Sequence, residues 1–349
     1  MSTSPRSSSR TRAVRRATRG ASLLTVLVLA GCSTPNGSPS ASPETSATPA
    51  VASSSATASN VPSSPLPSPV AGPGRIVFTE FNGGSSREFT IYTMNPDGTG
   101  LKVLRTGPNA IPRWSRSGRQ ISVTTSNLGA DYFATVINAD GSGAHDLRRP
   151  DPTLLLACTA WSPDDSRLAC EGWDPTKRGR EGIYTVRASD GGGLTRVTST
   201  TGGIHDIPGD FSPDGRQIVF IRATYTPVSL GQLWMANVDG TNTRKIADAL
   251  VGYRASWSHD GRWIAASANG ALLIFDVANL GSSPRQIVIP GGTAVNPRWS
   301  PDGTKLVLGV SRKDVYGREV YTVNADGSQP KRLTSGEKRD EYPDWGPAP

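Results

Sequence analysis

Across residues 73–349 the apolar positions fall in short runs bounded by turn-forming residues. Gln217-Ile218-Val219-Phe220 and Lys305-Leu306-Val307-Leu308 are typical. Each follows a cluster of Ser, Pro, Asp and Gly, and runs this short between such clusters read as strands. The cluster recurs: Trp114-Ser115-Arg116-Ser117-Gly118, Trp161-Ser162-Pro163-Asp164-Asp165, Phe211-Ser212-Pro213-Asp214-Gly215, Trp257-Ser258-His259-Asp260-Gly261 and Trp299-Ser300-Pro301-Asp302-Gly303, with a last copy starting at Trp345. Steps between the aromatic anchors are 47, 50, 46, 42 and 46 residues, the period of a propeller or another repeat array. Pro presets φ, Asp bonds its own downstream backbone and Gly supplies φ > 0, so each copy predicts a tight turn between antiparallel strands. The anchor is too large to stay wet, which places it in the seam between neighbouring sheets.

A second turn follows each copy, as in Ile91-Tyr92-Thr93-Met94-Asn95-Pro96-Asp97-Gly98 and Val320-Tyr321-Thr322-Val323-Asn324-Ala325-Asp326-Gly327. Asp-Gly between apolar strands is a hairpin signal. Each period therefore holds four strands, one propeller blade. Arg75-Ile76-Val77-Phe78 lacks the turn that should precede it, and the strand ending at Trp345 lacks a partner after it. Joining the two completes a sixth blade and leaves no open edge in the ring. The expected fold is all-β: a six-bladed propeller of four-stranded antiparallel blades, closed between its N-terminal strands and its C-terminal strand.

The two turn types together resemble the TolB-type six-bladed propeller over residues 74–347. The resemblance implies the fold and a site at the mouth of the central channel. TolB carries an α/β domain ahead of its propeller, whereas here a low-complexity segment stands in that place, so the resemblance implies the propeller and not the rest of the TolB arrangement.

That segment, residues 32–72, is almost wholly Ser, Thr, Pro, Ala, Gly and Val. It lacks the large apolar residues that would offset chain entropy, so it reads as a disordered tether. Extended at roughly 3.1 Å per residue, it reaches about 120 Å. Residues 1–31 read as an export signal, with six arginines followed by an apolar run, Leu23 to Ala30, too short to span a bilayer. Leu29-Ala30-Gly31-Cys32 resembles the bacterial lipobox, which implies lipidation of Cys32 and anchoring to the outer face of the cytoplasmic membrane. The alternative is an ordinary secretory signal cleaved nearby.

Charge adds little. The chain carries 37 basic and 29 acidic residues; without the six leader arginines, 31 basic residues face 29 acidic ones. The basic balance belongs to export, and no nucleic-acid partner is expected. Cys158 and Cys170 flank the third tight turn. If Trp161 pairs with Arg167, they face each other and can form a disulfide, which export favours; two free buried thiols are the other reading.

Loops on the face opposite the tight turns, among them 173–181, 199–206 and 335–341, do not repeat, and a function grafted on a scaffold has that character. They offer Trp173, Arg180, His205, Asp206 and Glu341 as ligand contacts, with Arg254 beside them. The residues just before the anchors, Asp344, Arg113, Ala160, Asp210, Ser256 and Arg298, should stand around the channel axis. Arg298, Asp344 and Arg113 then form either the floor of an anion-binding pocket or an ion-pair cluster that satisfies itself. No His pair has metal-ligand spacing, and there is no nucleophile elbow and no phosphate-binding Gly-rich loop, so no catalytic residue, metal or cofactor is expected. The leading expectation is a non-catalytic binding module for a protein, peptide or cell-wall glycan. The alternative is a lyase- or lactonase-type propeller enzyme.

Overall fold

The turn chemistry does what its residue types dictate. In Trp299 to Lys305, the Gly303 amide donates to the Ser300 carbonyl (2.9 Å) at φ 69°, the Ser300 hydroxyl donates to Asp302 (2.6 Å), and the Lys305 amide donates back to the Ser300 hydroxyl (2.9 Å). Ser212 and Ser258 repeat this pattern. In the second turn the Asp326 carboxylate accepts from the amide and hydroxyl of Ser328 (2.8 and 2.7 Å). Asp165 occupies a glycine position at φ 57°, and its carboxylate accepts from the amides of Arg116 (2.6 Å) and Ser117 (3.0 Å) in the preceding blade's turn.

The computed structural model describes residues 73–81, 89–127, 131–224, 231–250, 254–312, 317–336 and 338–348. The expected export signal, Cys32 and the expected tether lie outside them, as do parts of several segments expected to form loops on the face opposite the tight turns. Among the described residues, twenty-four strands form six four-stranded antiparallel sheets. Blade 1 joins β1 (Arg75–Phe81), β2 (Phe89–Met94) and β3 (Lys102–Gly107) to the last strand, β24 (Arg339–Gly346). Blade 2 holds β4 (Asn109–Trp114), β5 (Gln120–Asn127), β6 (Asp131–Asn138) and β7 (His145–Asp146). Blade 3 holds β8 (Leu155–Trp161), β9 (Arg167–Trp173), β10 (Gly182–Arg187) and β11 (Thr195–Arg196). Blade 4 holds β12 (Ile204–Phe211), β13 (Gln217–Thr224), β14 (Gly231–Asn237) and β15 (Arg244–Leu250). Blade 5 holds β16 (Ala255–Trp257), β17 (Trp263–Ala268), β18 (Ala271–Asp276) and β19 (Arg285–Val288). Blade 6 holds β20 (Gly292–Trp299), β21 (Lys305–Arg312), β22 (Arg318–Asn324) and β23 (Lys331–Arg332). Closure runs through β24 and β1, with Ile76 opposite Trp345 and Glu80 opposite Asp340.

The core divides into six apolar clusters, one per seam, each holding one anchor. Trp114 packs with Val77 and Ile91 of blade 1, Trp161 with Val136 of blade 2, and Phe211 with Ala169 and Ile183 of blade 3. Trp257 packs with Met235 of blade 4, Trp299 with Ile274 of blade 5, and Trp345 with Val307 and Val320 of blade 6. Every anchor is at most 5 % exposed.

The innermost strands are not regular. Five of the six carry one extra residue ahead of the anchor: β4, β8, β12, β20 and β24. In β20 and β24 the shift falls at Asn296-Pro297 and Tyr342-Pro343, where Asn296 and Tyr342 take φ of 52° and 53°. Proline offers no N–H to the ladder, so a bulge is where it fits. The bulge corrects the register expected around Cys158: Trp161 faces Leu168, not Arg167, and the extra residue at Thr159 restores the count so that Cys158 still faces Cys170. A disulfide joins them.

Candidate binding site

By strand order, the innermost strands start on the face opposite the tight turns and run down the channel to them. Two groups of polar residues result. A rim forms where these strands begin, and a ring forms just above the turns.

On the rim, His205 on β12 pairs through Nδ1 with Glu171 Oε1 of blade 3 (2.7 Å). Beside it Asp206, fully buried, takes a bidentate contact from Arg222 on β13 (2.7 and 2.8 Å). Arg222 in turn lies over the Trp234 ring, 4.3 Å from its centroid. Arg180 bridges Asp151 and Asp174 (2.8 Å to the latter) and donates to Thr153 (2.9 Å). Its hydrogen bonds hold the Asp151 carboxyl below the usual range, while those of Thr176 do most for Asp174. Trp173 packs edge-on against Tyr132 across the seam from blade 2, centroids 4.9 Å apart. Glu341 on β24 receives Arg318 (2.9 Å) and Arg339. The five rim residues expected from sequence are thus all engaged. Sequence reasoning missed their partners Glu171, Arg222, Arg318 and Arg339, the first two inside strands and the last two at strand starts, none with a turn or motif signal.

The ring residues meet as expected, but not as a floor directly beneath the rim. His205 and Asp210 lie five residues apart on β12, about 16 Å at strand rise. The ring belongs to the tight-turn end and lines a cavity there with Arg116 and His259. Arg298 donates to Asp344 through Nε (2.7 Å), reaches Asp210 through Nη2 (3.4 Å) and bonds the Gly209 carbonyl through Nη1 (3.1 Å). Burial alone would lift the Asp344 carboxyl; Arg298 and Arg113 more than reverse this and hold it below the usual range. For Arg298 the self-satisfied ion pair is what the structure contains.

These ring positions also have a structural task. The Trp114 amide donates to Asp344 Oδ2 (2.7 Å), the Trp257 amide to Asp210 Oδ2 (3.3 Å) and the Trp299 amide to the Ser256 hydroxyl (3.3 Å). Each caps the inward-facing N–H of the next blade's anchor, which has no neighbouring strand on that side. Arg254 donates through Nη1 to the Pro208 carbonyl (3.5 Å) and sits in this ring rather than on the rim.

No family model and no curated protein sequence matches the chain. Solved structures do match. TolB from Acinetobacter baumannii superposes with a TM-score of 0.62 at 17% identity, over 80% of this chain and 69% of that one. A putative TolB from Agrobacterium tumefaciens gives 0.57 at 18% identity, over 76% of this chain and 100% of that one. A puromycin-hydrolyzing peptidase from Mycobacterium tuberculosis gives 0.50 at 15% identity, over 73% of this chain but only 44% of that one. At such identities the likeness is one of architecture, and the architecture is the TolB-type six-bladed β-propeller.

Proposed function

We propose that this protein is a non-catalytic binding propeller, exported and lipid-anchored through Cys32, that holds a protein, peptide or cell-wall glycan at the channel rim. One observation carries the reading. The rim's charged groups do not repeat between blades, yet ion pairs such as Glu171–His205, Asp206–Arg222 and Asp174–Arg180 hold them in place. Groups ordered before a ligand arrives spare it the entropy of ordering them, as recognition surfaces require.

Site-specific photo-crosslinkers test this in the source cells. Placed at Arg180, His205 or Glu341 they should trap a common envelope component, whereas placed at Asp214 or Asp302 on the turn face they should not. Equal trapping from both faces ends the proposal. Labelling with a fatty-acid analogue should mark the wild type and spare Cys32→Ser; equal labelling would remove the anchor. The Glu171–His205 pair supports a second reading, in which the carboxylate orients the imidazole as a general base for lyase- or lactonase-type chemistry. Turnover of polyuronides or lactones that disappears in His205→Ala would favour it.

A further inference from the structure

Five ionised groups crowd the axis just above the tight turns: the guanidiniums of Arg113, Arg254 and Arg298, and the carboxylates of Asp210 and Asp344. Cations outnumber anions. Arg116, from the turn of blade 2, adds another, reaching Asp210 at 3.5 Å. Arg298 takes both carboxylates. Arg113, 1 % exposed, is left with two backbone carbonyls, those of Pro112 (3.2 Å) and Pro343 (3.4 Å), both bonded by Nη1. Its Nε and Nη2 are sealed from solvent and have no hydrogen-bond partner among the described residues. A buried guanidinium with two of its three nitrogens unpaired is strongly unfavourable unless something answers it.

Arg113 lines a cavity of about 20 Å³, together with Arg116, Arg298, His259 and the ring carboxylates. That volume admits one water-sized body and is far too small for a peptide terminus. His259 also has an Nδ1 without a hydrogen-bond partner among the described residues. Burial, with Arg116 and Arg298 close by, holds its pKa well below the ordinary range, so the ring is neutral near pH 7 and can donate an N–H without adding charge.

We propose that one small monovalent anion, of chloride's size and charge, binds on the channel axis beside Arg113. The two unpaired guanidinium nitrogens supply its donors, and it offsets part of the excess of arginines over carboxylates. A water could accept from both nitrogens but would leave the charge excess in place. Burial and the neighbouring Arg298 pull the Arg113 pKa down to about 9, so the side chain stays cationic at neutral pH and the anion has a charge to meet. The site lies at the far end of the channel from the rim, and it stands or falls independently of what the rim binds.

The full chain should broaden the chlorine-35 NMR line, bromide should compete, and Arg113→Met should abolish the broadening. At constant ionic strength, replacing gluconate by 100 mM chloride should raise the melting temperature by about 2 to 5 °C, and Arg113→Met should remove that rise. Crystals grown in bromide should show an anomalous peak beside the Arg113 guanidinium. This last measurement needs only the wild type, so it decides the matter even if the variant does not fold. A peak confined to the surface, an adventitious ion only, overturns the proposal. So does undiminished broadening in a folded Arg113→Met protein.

Discussion

Asp340 sits at the closure between β24 and β1 and should weaken the fold at neutral pH. The residue is 6 % exposed, its Oδ1 has no hydrogen-bond partner among the described residues, and it pairs in register with Glu80. Burial first, then Glu80 and Glu319, push its pKa from 3.8 to about 6, against the opposing pull of Thr334 and Lys338. The folded-state value lies above the unfolded one. The folded chain therefore prefers the protonated acid, and stability is lost as pH rises from about 4 through 6. A shift of about two units corresponds to about 3 kcal/mol. Asp340→Asn keeps the shape and removes the charge. Urea unfolding of wild type and variant should show the variant more stable by about 1 to 3 kcal/mol at pH 8, the lower figure allowing for the lost Thr334 bond. The gain should disappear near pH 3.5, where both folded and unfolded wild type carry the proton. Comparing the two proteins at each pH cancels every other titrating group. A gain over wild type that is the same at pH 8 and pH 3.5, or a variant less stable than wild type at pH 8, would refute the reasoning.

Three further outcomes are expected. A chain begun at Ile91 loses all six ladder pairs between β1 and β24 and should aggregate or melt well below one begun at Ala71; equal melting temperatures would show that closure contributes nothing. Replacing Cys158 and Cys170 by Ser removes a link across 12 positions and should cost about 3 kcal/mol, read by denaturant unfolding, with intact mass after alkylation confirming the oxidised wild type. The depressed pKa of His259 means that the unfolded chain takes up a proton below about pH 6.5 while the folded chain resists it, so the wild type loses stability as pH falls through that range; His259→Pro, the residue at positions 163, 213 and 301, should flatten that loss and add about 0.4 to 1 kcal/mol at pH 7.

Much of the molecule was legible in one dimension because its instructions are local. Ser300 to Gly303 make their turn from their own hydroxyl, carboxylate and φ > 0, whatever surrounds them. The period, the blade count and the closure follow from where those turns fall, and the anchors go to the seams because six large aromatics had to be buried somewhere. The register was legible only up to the bulges. Pro112, Pro297 and Pro343, each two residues before an anchor, are the written trace of that irregularity, but a proline says only that a ladder bond is missing, not that an extra residue accompanies it.

The site was decided in three dimensions. Nothing local tells Glu171 that it will meet His205 from the next blade, or Arg298 that Asp344 and Asp210 will both reach it. The sequence named Arg113, Arg298 and Asp344 as neighbours because equivalent positions in a closed ring must converge. It could not say which of them the others would satisfy. Two carboxylates cannot serve every guanidinium around one axis, and both of them reach Arg298. Arg113 is left with backbone carbonyls, an outcome set by packing around the axis rather than by anything in the residues beside it in the chain.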